Sequence, residues 1–351
     1  MQKQQSILSG GHASRLIDTF KYIMALGALI LCTTPVHSQD QKITLKLGTL
    51  APKGSPFCDV IDSIGEQWKA ATNGTIQIQL YPGSVSGSEP DMVRKMKIGQ
   101  LDAASITALG SMVIDPIFSI LQLPGLFDSW PELEYCRSKL APFIEERLDK
   151  QGFMVLSFSD LGGIYFFTKK PVRSIAELKK LKICTFSNDQ HSRGLWSKAG
   201  FNIVDLDATE VLAGLQTGLV DGYLNIPIFS LAMQWFGVAR YMIEVKYGFA
   251  QGMTVVRKEK WNTIDPARQQ RLKFIVAEVM AKSMPKLHGL DQMAIDQMVK
   301  YGLRVYKPKD QEIAEWLAPI IKIYPQIRGE MVPAEIFDQA FAFRDEFRKK
   351  K

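Results

Sequence analysis

The 351-residue chain contains no CxxC or CxxH pair, no GxxxxGK and no GxGxxG. Those absences remove the signatures of structural zinc, of a phosphate-cradling P-loop and of a dinucleotide site. No internal repeat and no low-complexity linker is present. Long apolar runs are scarce too. Residues 103–127 are nearly uncharged, but Gly110, Asp115-Pro116 and Pro124-Gly125 interrupt them, so they read as a buried strand, a loop and a hydrophobic segment rather than a membrane span. Dense blocks of one charge are also missing. The balance is +7, yet Lys and Arg alternate with Asp and Glu, and the only basic run is the terminal FRKKK, a solvated tail. Nucleic acid is therefore not expected as a partner.

What is present is the composition of a soluble globular protein: 46% apolar, 10% aromatic and 23% charged residues, on a length that suits two domains. The amino terminus stands apart. Lys21 is followed by the uncharged residues 22–32, then Pro35 and the small-residue site Val36-His37-Ser38. This predicts an export signal over residues 1–38, cleaved near Ser38, and a periplasmic protein. The competing reading is a membrane anchor, which needs roughly 20 apolar residues. Cys32 as a lipidation site is opposed by the bulky Leu31 before it. Cleavage lowers the balance of +7 by two and leaves Cys58, Cys136 and Cys184, an odd number that permits at most one bridge.

Along the mature chain, Ile43, Leu45 and Leu47 alternate through KITLKLG as in a strand. Ser55-Pro56 opens a helix and Asn73-Gly74 stops it. TIQIQLYP alternates again, a helix runs from near Ser88 to Gly99, and residues 101–106 form a third strand. This βαβαβ order predicts a parallel sheet with helices on its faces. A helix over 131–150 leads to strands at 153–158 and 164–168, with Gly162-Gly163 between them as a domain crossing. Ser174 and Glu177 form a capping box for a helix to about Leu181, and residues 182–186 form a strand. Asn188 caps a helix to Ala199. FNIVDL, TEVLAGLQTG and LVDGYLNI then read as strand, helix and strand, and a helix passes through Phe229, Met233 and Trp235 to a strand at 241–245. Residues 248–252 form a second crossing before the strand GMTVVRK. Asp265-Pro266 begins a helical region reaching about Tyr301, kinked at Pro285. A strand, LRVYKP, and two amphipathic helices complete the chain. The expected architecture is α/β and two-lobed, with residues 39–162 plus 251–290 in one lobe and 163–250 plus 291–351 in the other. Such lobes close over a ligand between them.

The ordered set TNGTIQIQLYPGS, MKIGQLDAASI, LPGLF, PVRSIAELKKLKI and LQTGLVDGYLN resembles the extracytoplasmic solute-binding subunits of TRAP transporters, the DctP-like family, over about residues 42–345. The resemblance implies a periplasmic-binding-protein-like fold with a long interlobe helix, no catalytic residues, no cofactor and no metal. It also implies membrane permease subunits as partners, joined in some family systems by a tetratricopeptide-repeat protein. Most members hold an organic acid with an arginine at the position matching Cys184, within a KIR triplet that here reads KIC. A second arginine is frequent where this chain has Tyr165, and the usual acidic and asparagine pair reads Leu224-Asn225. All three departures remove charge, and an anion closed between lobes without a cation is costly. The expected ligand is therefore uncharged, apolar or amphipathic, lined by Phe127, Trp130, Tyr165, Phe167, Cys184, Ser187, Tyr223, Asn225, Phe229 and Trp235. A conventional organic acid is the alternative.

Several of these residues carry a second reading. Cys184 lines the pocket, or is an inert core cysteine, or is a thiol nucleophile of an exported enzyme with His191 and Asp189. Asn225 fixes a ligand hydroxyl or carbonyl, or forms an Asx turn before Pro227. Tyr165 and Phe167 share one strand face and Phe166 the other. Of Phe229, Met233 and Trp235, one is expected in the pocket and the others in the core.

Overall fold

The fold is built from the period-two segments, and a computed structural model describes residues 42–186 and 189–350. The expected export signal with Cys32 and Ser38, and also Ser187 and Asn188, lie outside the described residues. β1 (Ile43–Thr49), β2 (Ile76–Tyr81) and β3 (Ala103–Thr107) pair in parallel around β1, with α1 (Pro56–Ala71) and α2 (Glu89–Lys97) as crossovers. Ser55 caps α1 by accepting from the Cys58 N–H, and Ser88 and Asp91 close a reciprocal capping box on α2. Trp68 anchors α1: its side chain is fully buried and its indole N–H donates to the Leu272 carbonyl at 3.1 Å. Burying such a side chain is worth about 2–3 kcal/mol.

α3 (Ala108–Ile114), a 3₁₀ turn (Pro116–Gln122) and α4 (Trp130–Lys150) lead to β4 (Phe153–Thr168). Next come α5 (Ile175–Leu178), β5 (Lys182–Phe186), α6 (Gln190–Lys198), β6 (Asn202–Leu206), α7 (Val211–Thr217), β7 (Gly222–Asn225) and α8 (Pro227–Ala232). β8 (Tyr241–Arg257) precedes α9 (Lys258–Trp261), α10 (Pro266–His288), α11 (Leu290–Lys300) and β9 (Arg304–Tyr306). Three helices close the chain where two were expected: α12 (Asp310–Ile321), the short α13 (Tyr324–Ile327) and α14 (Ala334–Lys349).

The sheet order is β2-β1-β3-β8-β4-β7-β5-β6, with β9 beside β8. β4 and β8 form one long antiparallel ribbon. β3 pairs with the later part of β8, and β7 with the later part of β4, so opposite ends of the ribbon belong to opposite halves of the sheet. The α/β architecture is thus two-lobed with a shared ribbon. Here the sequence expectation needs correction. Gly162-Gly163 and residues 248–252 do not separate pairs of strands; both stretches run inside the ribbon, with register shifts between Val155/Ser157, Asp160/Gly162 and Ile164/Phe166. Bulges let a strand bend without ending, because its neighbours still supply hydrogen bonds.

Other local readings shift in the same way. Glu177 does not return to the Ser174 N–H; its carboxylate accepts from the Arg173 N–H, so α5 has only half a capping box. Asp189 caps α6, accepting from the Ser192 N–H at 2.9 Å. The helix expected through Trp235 stops at Ala232, because Gln234 takes a left-handed conformation and starts a new turn at Trp235–Gly237. α10 passes through Pro285 and breaks only at Gly289. α10 lies against α1 and β4, whereas α11 lies against α8, so the helical pair reaches from one half of the sheet to the other.

Candidate functional site

Register decides which predicted residues meet. Tyr165 faces Asn225 across β4 and β7, Phe167 faces Tyr223, and Tyr223 faces Cys184 across β7 and β5. Opposed residues share a face, so these five side chains lie on one side of the sheet. Trp235 covers them. Phe167 stacks on Tyr223 with ring centroids 5.0 Å apart, Tyr223 meets Trp235 edge-on at 5.2 Å, and Phe229 meets Trp235 at 5.4 Å. Phe167, Cys184, Tyr223 and Trp235 are at most 2% exposed, which makes them packing partners of one another. Tyr165 at 8% and the half-buried Asn225 form the rim, and Phe229 reaches solvent.

Two predicted residues are not part of this cluster. Phe127 belongs to the large core that also holds Phe118, Phe166 and Tyr247. Trp130 stacks on His288 at 4.3 Å and leans on Phe249 at 4.4 Å. Among the described residues no basic group acts on Cys184. Burial and the nearby Asp205 push its thiol up to about 12, and its Sγ–H is aimed at the Thr185 carbonyl. His191 instead lines a cavity of about 60 Å³ with Ser119, Gln122, Ile164, Trp196 and Leu224, the last on the face of β7 opposite Tyr223. A thiol–imidazole pair is thus not assembled. Cys58 and Cys136 are buried and free, so the possible bridge is not formed.

The rim continues into charged residues that the sequence reading passed over. Asp160, with its side chain fully buried, accepts from the Arg137 guanidinium, from His288 at 2.7 Å and from the Gln251 amide at 2.9 Å. Burial pushes its carboxyl up, but the His288 and Arg137 contacts outweigh that and hold it at about 2. Glu134, Asp160 and His288 bring three potential ligand atoms within 4.8 Å of one another. With the guanidinium already on Asp160, this cluster is chemically an ion-pair network and a poor cation cage.

Beside it, Asp291 at the start of α11 accepts from the Gly163 N–H at 2.5 Å. Its other oxygen lies 2.6 Å from where a Cβ on Gly162 would stand, and Gly162 has φ +148°, so glycine is required there. Burial raises the Asp291 carboxyl to about 6, against the pull of the Gly163 N–H, Lys246 and His288. The Lys246 ammonium sits 4.6 Å from the Phe249 ring centroid. Its pKa is lowered by burial, with Asp291 opposing. Among the described residues, no carboxylate lies within 4.0 Å of it. The one signal in the sequence was a lysine next to the aromatics of KYGF.

Residues 47–330 match the family model described as DctP, bacterial extracellular solute-binding protein, family 7. The sialic acid-binding periplasmic protein SiaP of Vibrio cholerae is 20% identical over 320 residues, covering 90% of this chain and 99% of that protein. A TRAP periplasmic solute binding protein from Desulfovibrio salexigens, solved with bound orotic acid, superposes with a TM-score of 0.79 at 19% identity, over 88% of this chain and 99% of that one. An extracytoplasmic solute receptor of Bordetella pertussis binding pyroglutamic acid gives a TM-score of 0.76 at 21% identity, covering 86% and 99%.

Proposed function

Because this chain belongs to the DctP family of bacterial extracellular solute-binding proteins, we propose that it closes over an amphipathic organic ligand and delivers it to the permease subunits of a TRAP transporter. It is a receptor and not an enzyme. Export by a signal cleaved near Ser38, and lobes of residues 39–162 plus 251–290 and 163–250 plus 291–351, are part of the proposal. Direct transfer to the permease is the reading taken, since the comparisons lend no support to a tetratricopeptide-repeat partner.

The observation that carries the ligand class is the fate of the two positions where arginines are usual. Cys184 is buried beside Tyr223 in the core, and Tyr165 is a phenol whose hydroxyl burial and the nearby Asp291 hold protonated. Neither supplies the planar, bidentate cation that clamps a carboxylate. The ring of Tyr165 with the amide of Asn225 beside it at the rim suits a ligand with an apolar body and one polar end. The ligands of two relatives, orotic acid and pyroglutamic acid, are ring-bearing organic acids with a single carboxyl group, ionised at neutral pH. Native mass spectrometry of the purified protein, followed by organic extraction, is expected to release such a ligand. Tight calorimetric binding of succinate would overturn the reading.

A further inference from the structure

We propose that Lys246 replaces the missing arginines as the cation of the ligand site, and that the ligand therefore presents a single carboxylate, received by Lys246, Asn225 and Tyr165. This deepens the amphipathic-ligand reading and rests on it.

The backbone places Lys246 there. Ile164 pairs with Gly248 and Phe166 with Ile243, so residues 244–247 of β8 bulge out opposite the single residue Tyr165. Such a bulge re-aims side chains. A Cβ built on Gly163 would lie 3.0 Å from both the Lys246 Cε and the Tyr165 hydroxyl, which sets the two side chains side by side over a residue with no side chain of its own. Asn225, the cross-strand partner of Tyr165, has its Oδ1 committed to the Ile226 N–H at 2.8 Å, while its buried Nδ2 has no acceptor among the described residues. A half-buried ammonium with no carboxylate within 4.0 Å among the described residues, and a buried amide without an acceptor, both lack the same thing. Buried polar groups left unpaired are costly, and one carboxylate would satisfy both. The rings of Phe249 and Trp130, 4.6 and 6.0 Å from the ammonium, hold it meanwhile by cation–π attraction.

The surrounding charges set the number of carboxylates. Facing Lys246 are Asp291 and the phenol of Tyr165, with His288 behind Asp291; Glu244 on the same strand pairs with Lys307 at 3.7 Å. One cation beside one acid accommodates one anionic group, and a second carboxylate would meet Asp291.

The test is calorimetry and thermal shift on the wild-type protein with benzoate, phenylacetate, orotate and pyroglutamate, each against its neutral amide, and with succinate. At least one monocarboxylate is expected to bind where its amide does not. Lys246→Gln should weaken it by roughly thirtyfold or more, the low end for losing one partner of a buried charge pair. Lys246→Arg should restore most of the affinity, which excludes a folding defect. Equal binding of acid and amide, undiminished binding by Lys246→Gln, preference for succinate, or failure of all four acids would each overturn the role of Lys246. A neutral ligand found by extraction would then leave the receptor reading standing; no extractable ligand of any kind would count against that reading itself.

Discussion

Asp291→Asn offers a quantitative test of how the ribbon is held. The amide keeps an oxygen for the Gly163 N–H and drops the charge. In the folded protein the Asp291 carboxyl titrates at about 6 instead of 3.8, so the folded state holds a proton that the unfolded chain has released between those values. Folding stability from this group is therefore fully present below about pH 4 and is lost as pH rises to about 6. A shift of that size corresponds to roughly 3 kcal/mol. The stability of the wild type minus that of Asp291→Asn should fall by this amount from pH 3.5 to pH 7, whatever constant offset the new amide nitrogen introduces. Urea unfolding at a series of pH values measures it directly, and differential scanning calorimetry checks it. A difference that stays flat across that range, or one that rises with pH, would refute the argument and mean that Asp291 is ionised and well compensated by Lys246 and His288.

Asp160 behaves in the opposite sense: its carboxyl is held at about 2, so its stabilisation is present above about pH 4 and lost on acidification toward pH 2. Asp160→Ala leaves Arg137 buried without its carboxylate, keeping only the Gln251 side-chain oxygen at 2.6 Å, and should cost ~3–5 kcal/mol, read by chemical denaturation. Cys184→Arg should not restore binding of dicarboxylates, because the position is packed against Tyr223; a large drop in melting temperature with no succinate binding is expected, and a stable, succinate-binding variant would contradict the packing. The thiols of Cys136 and Cys184, both raised to about 12 by burial, should resist iodoacetamide at pH 7.5 until the protein is unfolded, as peptide mass spectrometry would report. Gly163→Val places side-chain atoms within 3.0 Å of Lys246 and Tyr165 and should weaken ligand binding more than it lowers the melting temperature.

Local pattern carried much of the architecture. Alternation through KITLKLG and TIQIQLY, capping by Ser55 and Ser88, and stops at Gly74, Gly99 and Gly218 place the crossovers of a parallel sheet, because these signals act over a few residues of chain. The ordered motifs named the family, and period two put Tyr165 and Phe167 on one face. What alternation cannot express is what covers that face. Trp235 packs on Tyr223 and joins Phe167 and Cys184 in one buried cluster, while Tyr165 and Asn225 stay at the rim, and that follows from the turn at Gln234 and the pairing of β4, β7 and β5. The continuity of β4 and β8 through their glycines depends on neighbouring strands far along the chain. The contact of Asp291 with Gly163 spans 128 residues. The position of Lys246 comes from a bulge that exists only when β8 is laid against β4. By itself the sequence determined the elements, their order and the family, along with the loss of the usual arginines. Only the tertiary structure decided which aromatics are core and where a cation remains, because both depend on register and burial between segments that the chain keeps far apart.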